Sequence, residues 1–171
     1  MNNPVLQAIS DRRSIREYLP KQISKEQLDA LLKAALEAPT GMNRQPWHFT
    51  VVQDQVLIDD MNVEINKRLN REEGDIYHGA PTVIFISGDP GSEVDCGIAV
   101  QTLALAAHSM GLGSVILGMP NIAFEGDRRE EFEKRLHFPT THSHKVSISI
   151  GYPASSKEAH PIEDGRITCI L

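Results

Sequence analysis

SEVDCGIAVQTLALAAHSMGLG, residues 92–113, decides the architecture. Ser92 and Asp95 stand where helix-capping side chains belong, and Gly97, Ala99, Leu103, Ala104, Ala106 and Ala107 carry the segment to a glycine stop at Gly111 and Gly113. The run is apolar nearly all round and rich in small residues, which predicts a central helix that other elements approach closely. Before it, Thr82 to Ser87 is a short apolar run between Pro81 and the turn Gly88-Asp89-Pro90-Gly91, the pattern of a strand buried on both faces. After it, Ser114 to Leu117 predicts another strand. The GxG of Gly111 and Gly113 follows a helix rather than opening one, so it is a helix stop and no dinucleotide fingerprint.

Working outward, Asn3 and Pro4 form a helix start, with Val5, Leu6 and Ile9 on one side and an end near Arg12 or Arg13. Ser24 and Gln27 form a capping box for a helix over 25–37, closed by Pro39. Trp47 to Gln53 alternates as a strand, a polar helix spans 55–70, and Asp127 to Leu136 is a charged amphipathic helix. Lys145 to Ile150 and Arg166 to Ile170 complete the predicted strands. The mixture puts the chain in the α+β or α/β class.

At 171 residues the chain fits a single domain over 1–171, able to bury roughly 70% of its unfolded surface. A net charge of −6 argues against nucleic acid as a partner, because phosphate backbones are bound through clustered Lys and Arg. No apolar run is long enough to span a membrane, and the N-terminus lacks the apolar core of a signal peptide, so a cytoplasmic location is expected. Cys96 and Cys169 match neither a disulfide framework nor zinc spacing and are expected to be buried free thiols. His142 and His144, with His137 nearby, have a spacing that can serve zinc or copper. No carboxylate or cysteine accompanies them, and a solvent-facing strand lead is the preferred reading; no metal is expected.

Two stretches carry chemistry. Arg12-Arg13-Ser14-Ile15-Arg16 gathers three guanidinium groups and a hydroxyl where a helix gives way to a loop, a donor set suited to a phosphate monoester; a solvated basic turn is the alternative. Ala38 to Trp47 is stiffened by Pro39, Gly41 and Pro46, while Thr40, Asn43 and Gln45 offer donors and acceptors for the edge of a heteroaromatic ring; the alternative is a plain connector.

Arg-Arg-Ser-x-Arg, followed after one helix by Ala38, Pro39, Thr40, Asn43, Gln45, Pro46, Trp47 and Phe49, resembles the FMN-dependent nitroreductase family. Gly79-Ala80-Pro81, the Asp95 to Gly118 segment and Gly151-Tyr152-Pro153 extend the likeness over essentially the whole chain. The resemblance implies an α+β fold, an α/β/α sandwich with a mostly antiparallel sheet, and an intertwined homodimer with FMN in clefts at the subunit interface. It assigns the phosphate and the pyrimidine side of the flavin to the Arg12, Arg13, Ser14 and Arg16 stretch, and ring contacts from a second subunit to Pro39, Thr40, Asn43 and Gln45. Backbone of Ile116, Leu117 and Gly118 maps beside the isoalloxazine, and a late basic residue, Lys157 or Arg166, maps to the phosphate.

The implied activity is two-electron, ping-pong reduction of a nitroaromatic, quinone or related small-molecule acceptor by NAD(P)H. Flavin supplies that chemistry, so no acid–base side chain is required; Arg12 or Arg16 would favour the reduced flavin by Coulomb attraction. Ene reduction, dehalogenation and flavin storage or sensing are the alternatives. Two departures stand out. The segment between Phe49 and Pro81 is short, leaving Lys67, Arg68 and Arg71 as substitutes for a basic residue that larger relatives supply, or as a solvated helix face. Ala159-His160-Pro161 occupies a region where relatives often carry another basic residue.

Overall fold

The computed structural model describes residues 3–170. Its elements run α1 (Pro4–Asp11), α2 (Lys25–Leu36), β1 (Trp47–Val52), α3 (Gln55–Arg68), β2 (Thr82–Gly88), α4 (Glu93–Ser109), β3 (Gly113–Leu117), α5 (Arg129–Arg135) and β4 (Ser143–Gly151). The four strands form one fully antiparallel sheet in the order β1-β2-β4-β3.

Side-chain alternation along the two central strands builds two cores. Ile84, Ile86, Ile148 and Ile150 face α2 and α4 and pack with Leu31, Ala99, Leu103 and Ala107. Val83, Phe85, Val115 and Leu117 face the other way, against Met61 and Ile65 of α3 and Phe132 of α5. The result is an α/β/α sandwich. Every residue of β2 is buried, which is why its sequence reads as a continuous apolar run.

Local chemistry sets most boundaries as expected. Asn3 Oδ1 accepts from the N–H groups of Val5 and Leu6, and the Ser24–Gln27 capping box is complete. The start of α4 departs from expectation. Ser92 makes no cap bond; its hydroxyl donates to the carbonyl of Asp89 at 2.7 Å, which leaves Asp95 free for another role. The expected helix over 127–136 begins two residues later, at Arg129. The expected strand over Arg166 to Ile170 does not form: these residues are exposed and pair with no strand, since an alternating apolar tail can become a ladder only where a neighbouring edge is within reach. Cys96 is buried, but Cys169, on that tail, is exposed.

The histidines also differ from the expected solvent-facing lead. His144 is buried, stacked on Phe124 with 4.8 Å between ring centroids, with Nε2 2.8 Å from Ser147 Oγ. His142 Nδ1 lies 3.3 Å from Ser87 Oγ and its Nε2 3.7 Å from Asp89. Burial, helped by nearby Lys145, holds the His144 imidazole down at about 3. Between pH 6.5 and 3 the unfolded chain therefore binds a proton that the folded chain refuses, and stability falls as pH falls through that window. Urea unfolding at pH 7.5 and pH 5.0 should differ by about 2 kcal/mol through this residue, and His144→Phe should flatten the slope. Equal slopes in the two chains would remove the buried imidazole from the account.

Candidate flavin site

Arg12 to Tyr18 leaves α1 and runs along the sheet edge. Ser14 bridges Ser114 in parallel, Ile15 N–H donates to the Ser114 carbonyl at 2.9 Å, and Tyr18 bridges Pro153. Tyr18 pins the segment from below, its hydroxyl donating to the carbonyls of Ile15 at 2.8 Å and Ser149 at 3.3 Å; burial raises its pKa and keeps it a donor. Gly113 permits this close approach, because a Cβ there would stand 3.0 Å from Cβ of Ile15. The parallel register sets Arg12 near Leu112 and Arg16 near Ile116, so the two residues fall at opposite ends of β3, about 13 Å apart along the backbone at the strand rise.

Each end opens into a cleft. The first, about 340 Å³, is lined by Arg12, Lys157, Ser155, Ser156 and His108, with Gly111 and Gly113 on its floor. Among the described residues neither Arg12 nor Lys157 enters an ion pair, and the acid present, Asp11, accepts a bond from Gln7 at 2.7 Å. Two free cations and two serine hydroxyls match the donor requirement of a phosphate monoester. The second cleft, about 390 Å³, is lined by Arg16, Ile116, Leu117, Gly118, Arg71 and His78. Ile116 is half-exposed at the sheet edge, an apolar surface beside a guanidinium.

The remaining candidates distribute as follows. Arg13 lines the first cleft beside Arg12 while its Nη1 turns back on α1, donating to the carbonyls of Ser10 at 2.5 Å and Arg12 at 3.0 Å, so it also closes the helix terminus. Arg166 is paired with Glu163 on the exposed tail and lines neither cleft. Lys67 and Arg68 lie in the largest cleft, about 750 Å³, between α3 and the turn 119–124, where Arg68 donates to the Glu125 carbonyl at 3.0 Å and approaches Glu64 at 3.9 Å. Cations and acids are matched there, and neither Arg12 to Arg16 nor Ala38 to Trp47 reaches it. Arg71 alone of the three reaches the second cleft. Among the described residues no group of three metal-ligating side chains could hold an ion.

The second stretch folds into a stiff loop. Met42, Asn43 and Gln45 all have positive φ, an uncommon state for residues other than glycine and one that persists where surrounding bonds impose it. Those bonds are identifiable. Gln45 N–H donates to Thr40 Oγ1 at 3.1 Å, Gln45 Nε2 to Asn43 Oδ1 at 3.2 Å, and Gly41 N–H to Asp95 Oδ1 at 3.1 Å. Asp95 thus ties the loop to the first turn of α4, a role that capping rules alone did not reveal. Asn43 and Gln45 remain exposed. Pro39 and Thr40 enter this loop and line neither cleft beside Arg12 to Arg16.

Asp95 and His108 stand thirteen positions apart on α4, about 20 Å along the axis. The loop sits at one end of the helix and the first cleft at the other, so one chain does not bring the two stretches together.

Residues 9–152 match the family model described as "Nitroreductase family". A solved nitroreductase with bound FMN from Desulfitobacterium hafniense is 35% identical and superimposes with a TM-score of 0.93, covering 100% of both chains. The curated "FMN reductase [NAD(P)H]" of Bacillus subtilis is 29% identical over 93% of this chain and 70% of its own length. "Iodotyrosine deiodinase" of Thermotoga neapolitana is 28% identical over 88% of this chain and 89% of its own.

Gly88 is the joint on which the loop depends. A Cβ there would stand 2.8 Å from the Pro46 carbonyl and 3.0 Å from Cys96 Sγ, where Asp89 N–H now donates to Pro46 at 3.1 Å. Gly88→Ala should destabilise the chain by about 1–3 kcal/mol in urea unfolding and displace the loop. Unchanged stability would mean that the loop is not seated on this glycine. By its matched model and whole-chain structural likeness, the chain belongs to the nitroreductase family.

Proposed function

We propose that this chain is an FMN-dependent NAD(P)H oxidoreductase, acting as a homodimer on small electrophilic acceptors such as nitroaromatics and quinones. One observation carries the reading: cations without carboxylate partners line two consecutive clefts along β3, Arg12 and Lys157 at one end and Arg16 with the exposed Ile116 and Gly118 at the other. That array suits a ligand with a phosphate at one end and a flat apolar ring at the other.

Arg12 and Lys157, which line the first cleft, would hold the phosphate, with Ser14 on the bridging stretch between them and β3; Arg166, tied to Glu163, is the weaker candidate. Arg16 would sit at the polar edge of the ring, with Ile116, Leu117 and Gly118 along its flank. When bound, FMN supplies the redox chemistry, taking a hydride from NAD(P)H and delivering two electrons to the acceptor. The chain's contribution is orientation and electrostatics. A guanidinium in a partly shielded cleft attracts negative charge more strongly than one in open water, which favours an electron-rich ring.

The homodimer follows from what one chain leaves open. Val5, Leu6 and Ile9 of α1, Val94 and Ile98 of α4, and Ile162, Ile167 and Ile170 of the tail are all exposed. Apolar groups on one helix face and a trailing segment are the material of an interface between copies. A twofold axis across α4 would bring the Pro39–Gln45 loop of a second copy to the Arg12–Arg16 clefts of the first. The deiodinase likeness favours dehalogenation as the second reading, run on the same site.

Freshly purified protein should be yellow, should bleach anaerobically with NADH or NADPH, and should recover its colour on adding a nitroaromatic or quinone. Arg12→Ala should weaken FMN binding by about 1.5–3 kcal/mol, roughly 10- to 150-fold, the range for a bond to a charged group. Light scattering should give twice the 19.0 kDa chain mass. A monomer that retains flavin would contradict the shared site, and a bound chromophore that neither nucleotide bleaches would point to flavin storage instead.

A further inference from the structure

Two groups in the ring cleft are left without a role by the flavin reading: Arg71 and His78. Both are held by the chain. Asn70, with φ 52, turns the backbone out of α3, and Arg71 N–H donates to the Asn66 carbonyl at 2.9 Å. The following loop is strapped down. Asn62 and Asn66 each donate a side-chain N–H to the Gly74 carbonyl at 2.6 Å, and Ile76 N–H donates to Asn62 Oδ1 at 2.9 Å. Asp75 accepts from the backbone N–H groups of Tyr77 and Gly79, which holds His78 between them at φ 60, an uncommon state for a side-chain-bearing residue.

The charge balance of the cleft follows from these bonds. Its acid, Asp75, has both oxygens committed to backbone donors, and Glu72 and Glu73, the chain neighbours of Arg71, do not line the cleft. Among the described residues neither Arg16 nor Arg71 enters an ion pair or donates a side-chain hydrogen bond, whereas Arg68, Arg128, Arg129 and Arg135 all do. Desolvation and the neighbouring Arg16 both hold the His78 imidazole below its usual pKa, against the opposing pull of Asp75, so near neutral pH it is an uncharged hydrogen-bonding group. The floor is apolar, made of Ile76, Ile116 and Met119. An apolar floor with a fixed cationic rim selects a flat ligand that carries an anion at one edge.

We propose that Arg71 and His78 form an anion-reading pair at this cleft, and that the acceptor reduced there is an aromatic bearing a carboxylate. The inference rests on the flavin reading above, with Arg16 serving the cofactor and Arg71 left for the acceptor. Arg71 supplies a forked charge for the carboxylate, and His78 supplies a neutral donor fixed in direction by its strapped loop.

The test compares 4-nitrobenzoate with its neutral isostere 4-nitrobenzamide on flavin-loaded protein. Wild type should favour the acid in kcat/KM by roughly tenfold, the scale of one charge-assisted contact, with the difference mainly in KM. Arg71→Gln should bring the acid-to-amide ratio close to one, Arg71→Lys should restore part of it, and His78→Asn, which tolerates positive φ, should lower it less. Calorimetric binding of 4-nitrobenzoate should weaken in parallel, with flavin content and melting temperature measured on every variant. A wild-type ratio at or below one, or a ratio that Arg71→Gln leaves unmoved, would overturn the proposal while the flavin reading stands. Protein that binds no flavin would overturn that reading; calorimetry on the same sample then decides the anion pair, which is lost if 4-nitrobenzoate binding shows no dependence on Arg71.

Discussion

The bond from Ile15 N–H to the Ser114 carbonyl, 2.9 Å long, fixes which guanidinium meets which end of β3. Extended backbone advances about 3.3 Å per residue, so a slip of two positions would move Arg12 and Arg16 about 7 Å along the edge. Arg12 would then leave Lys157, and Arg16 would leave Ile116. Gly113 makes the bond reachable by having no Cβ to meet Ile15, and Tyr18 locks it from the sheet side. The polar array therefore depends on an apolar contact and a missing side chain.

Central helix α4 imposes the second constraint. Because the stiff loop is tied to its first turn through Asp95 and the cleft at Arg12 and Lys157 touches its last through His108, about 20 Å of helix separates the two stretches. No loop motion in one chain closes that gap. In the proposed homodimer a copy related by a twofold axis would span it, since such an axis sets the start of one helix beside the end of the other. The exposed face of α4 carries Val94, Gly97 and Ile98 beside the exposed Glu93.

Much of the fold was legible because local chemistry and tertiary packing agree. Asn3 before Pro4, the Ser24–Gln27 box and the all-apolar β2 each satisfy their own backbone and also face a core. Legibility failed where a side chain's partner lies far away in sequence. Asp95 reads as a cap but serves Gly41, 54 residues back. His144 reads as a solvent-facing strand residue, yet Phe124 and Ser147 claim it, and no periodicity shows that. Arg166 reads as a phosphate ligand by charge, whereas its guanidinium is spent on Glu163, and Arg13 divides itself between the first cleft and the carbonyls ending α1. The motifs put both stretches beside clefts, and backbone register decides which arginine stands at which end of β3.

That sorting bears on how an acidic protein offers room to anions at all. The chain has 23 acidic and 17 basic residues, so its mean field repels phosphates and carboxylates. Part of the acidity, however, is neutralised in place. Asp60 is clamped by Arg128 and Arg135, whose hydrogen bonds hold its carboxyl down at about 2, and Glu131, Glu133 and Glu93 have cationic partners of their own. Such short-range pairing removes these charges from the field beyond about a Debye length, roughly 8 Å at physiological salt. What a ligand meets at the β3 edge is then local: Arg12, Lys157, Arg16 and Arg71, without acids of their own, in clefts partly walled from water. Recognition there is a contact property rather than a steering property, so raising ionic strength should cost this site less than it would cost a protein that gathers its anions with a basic surface.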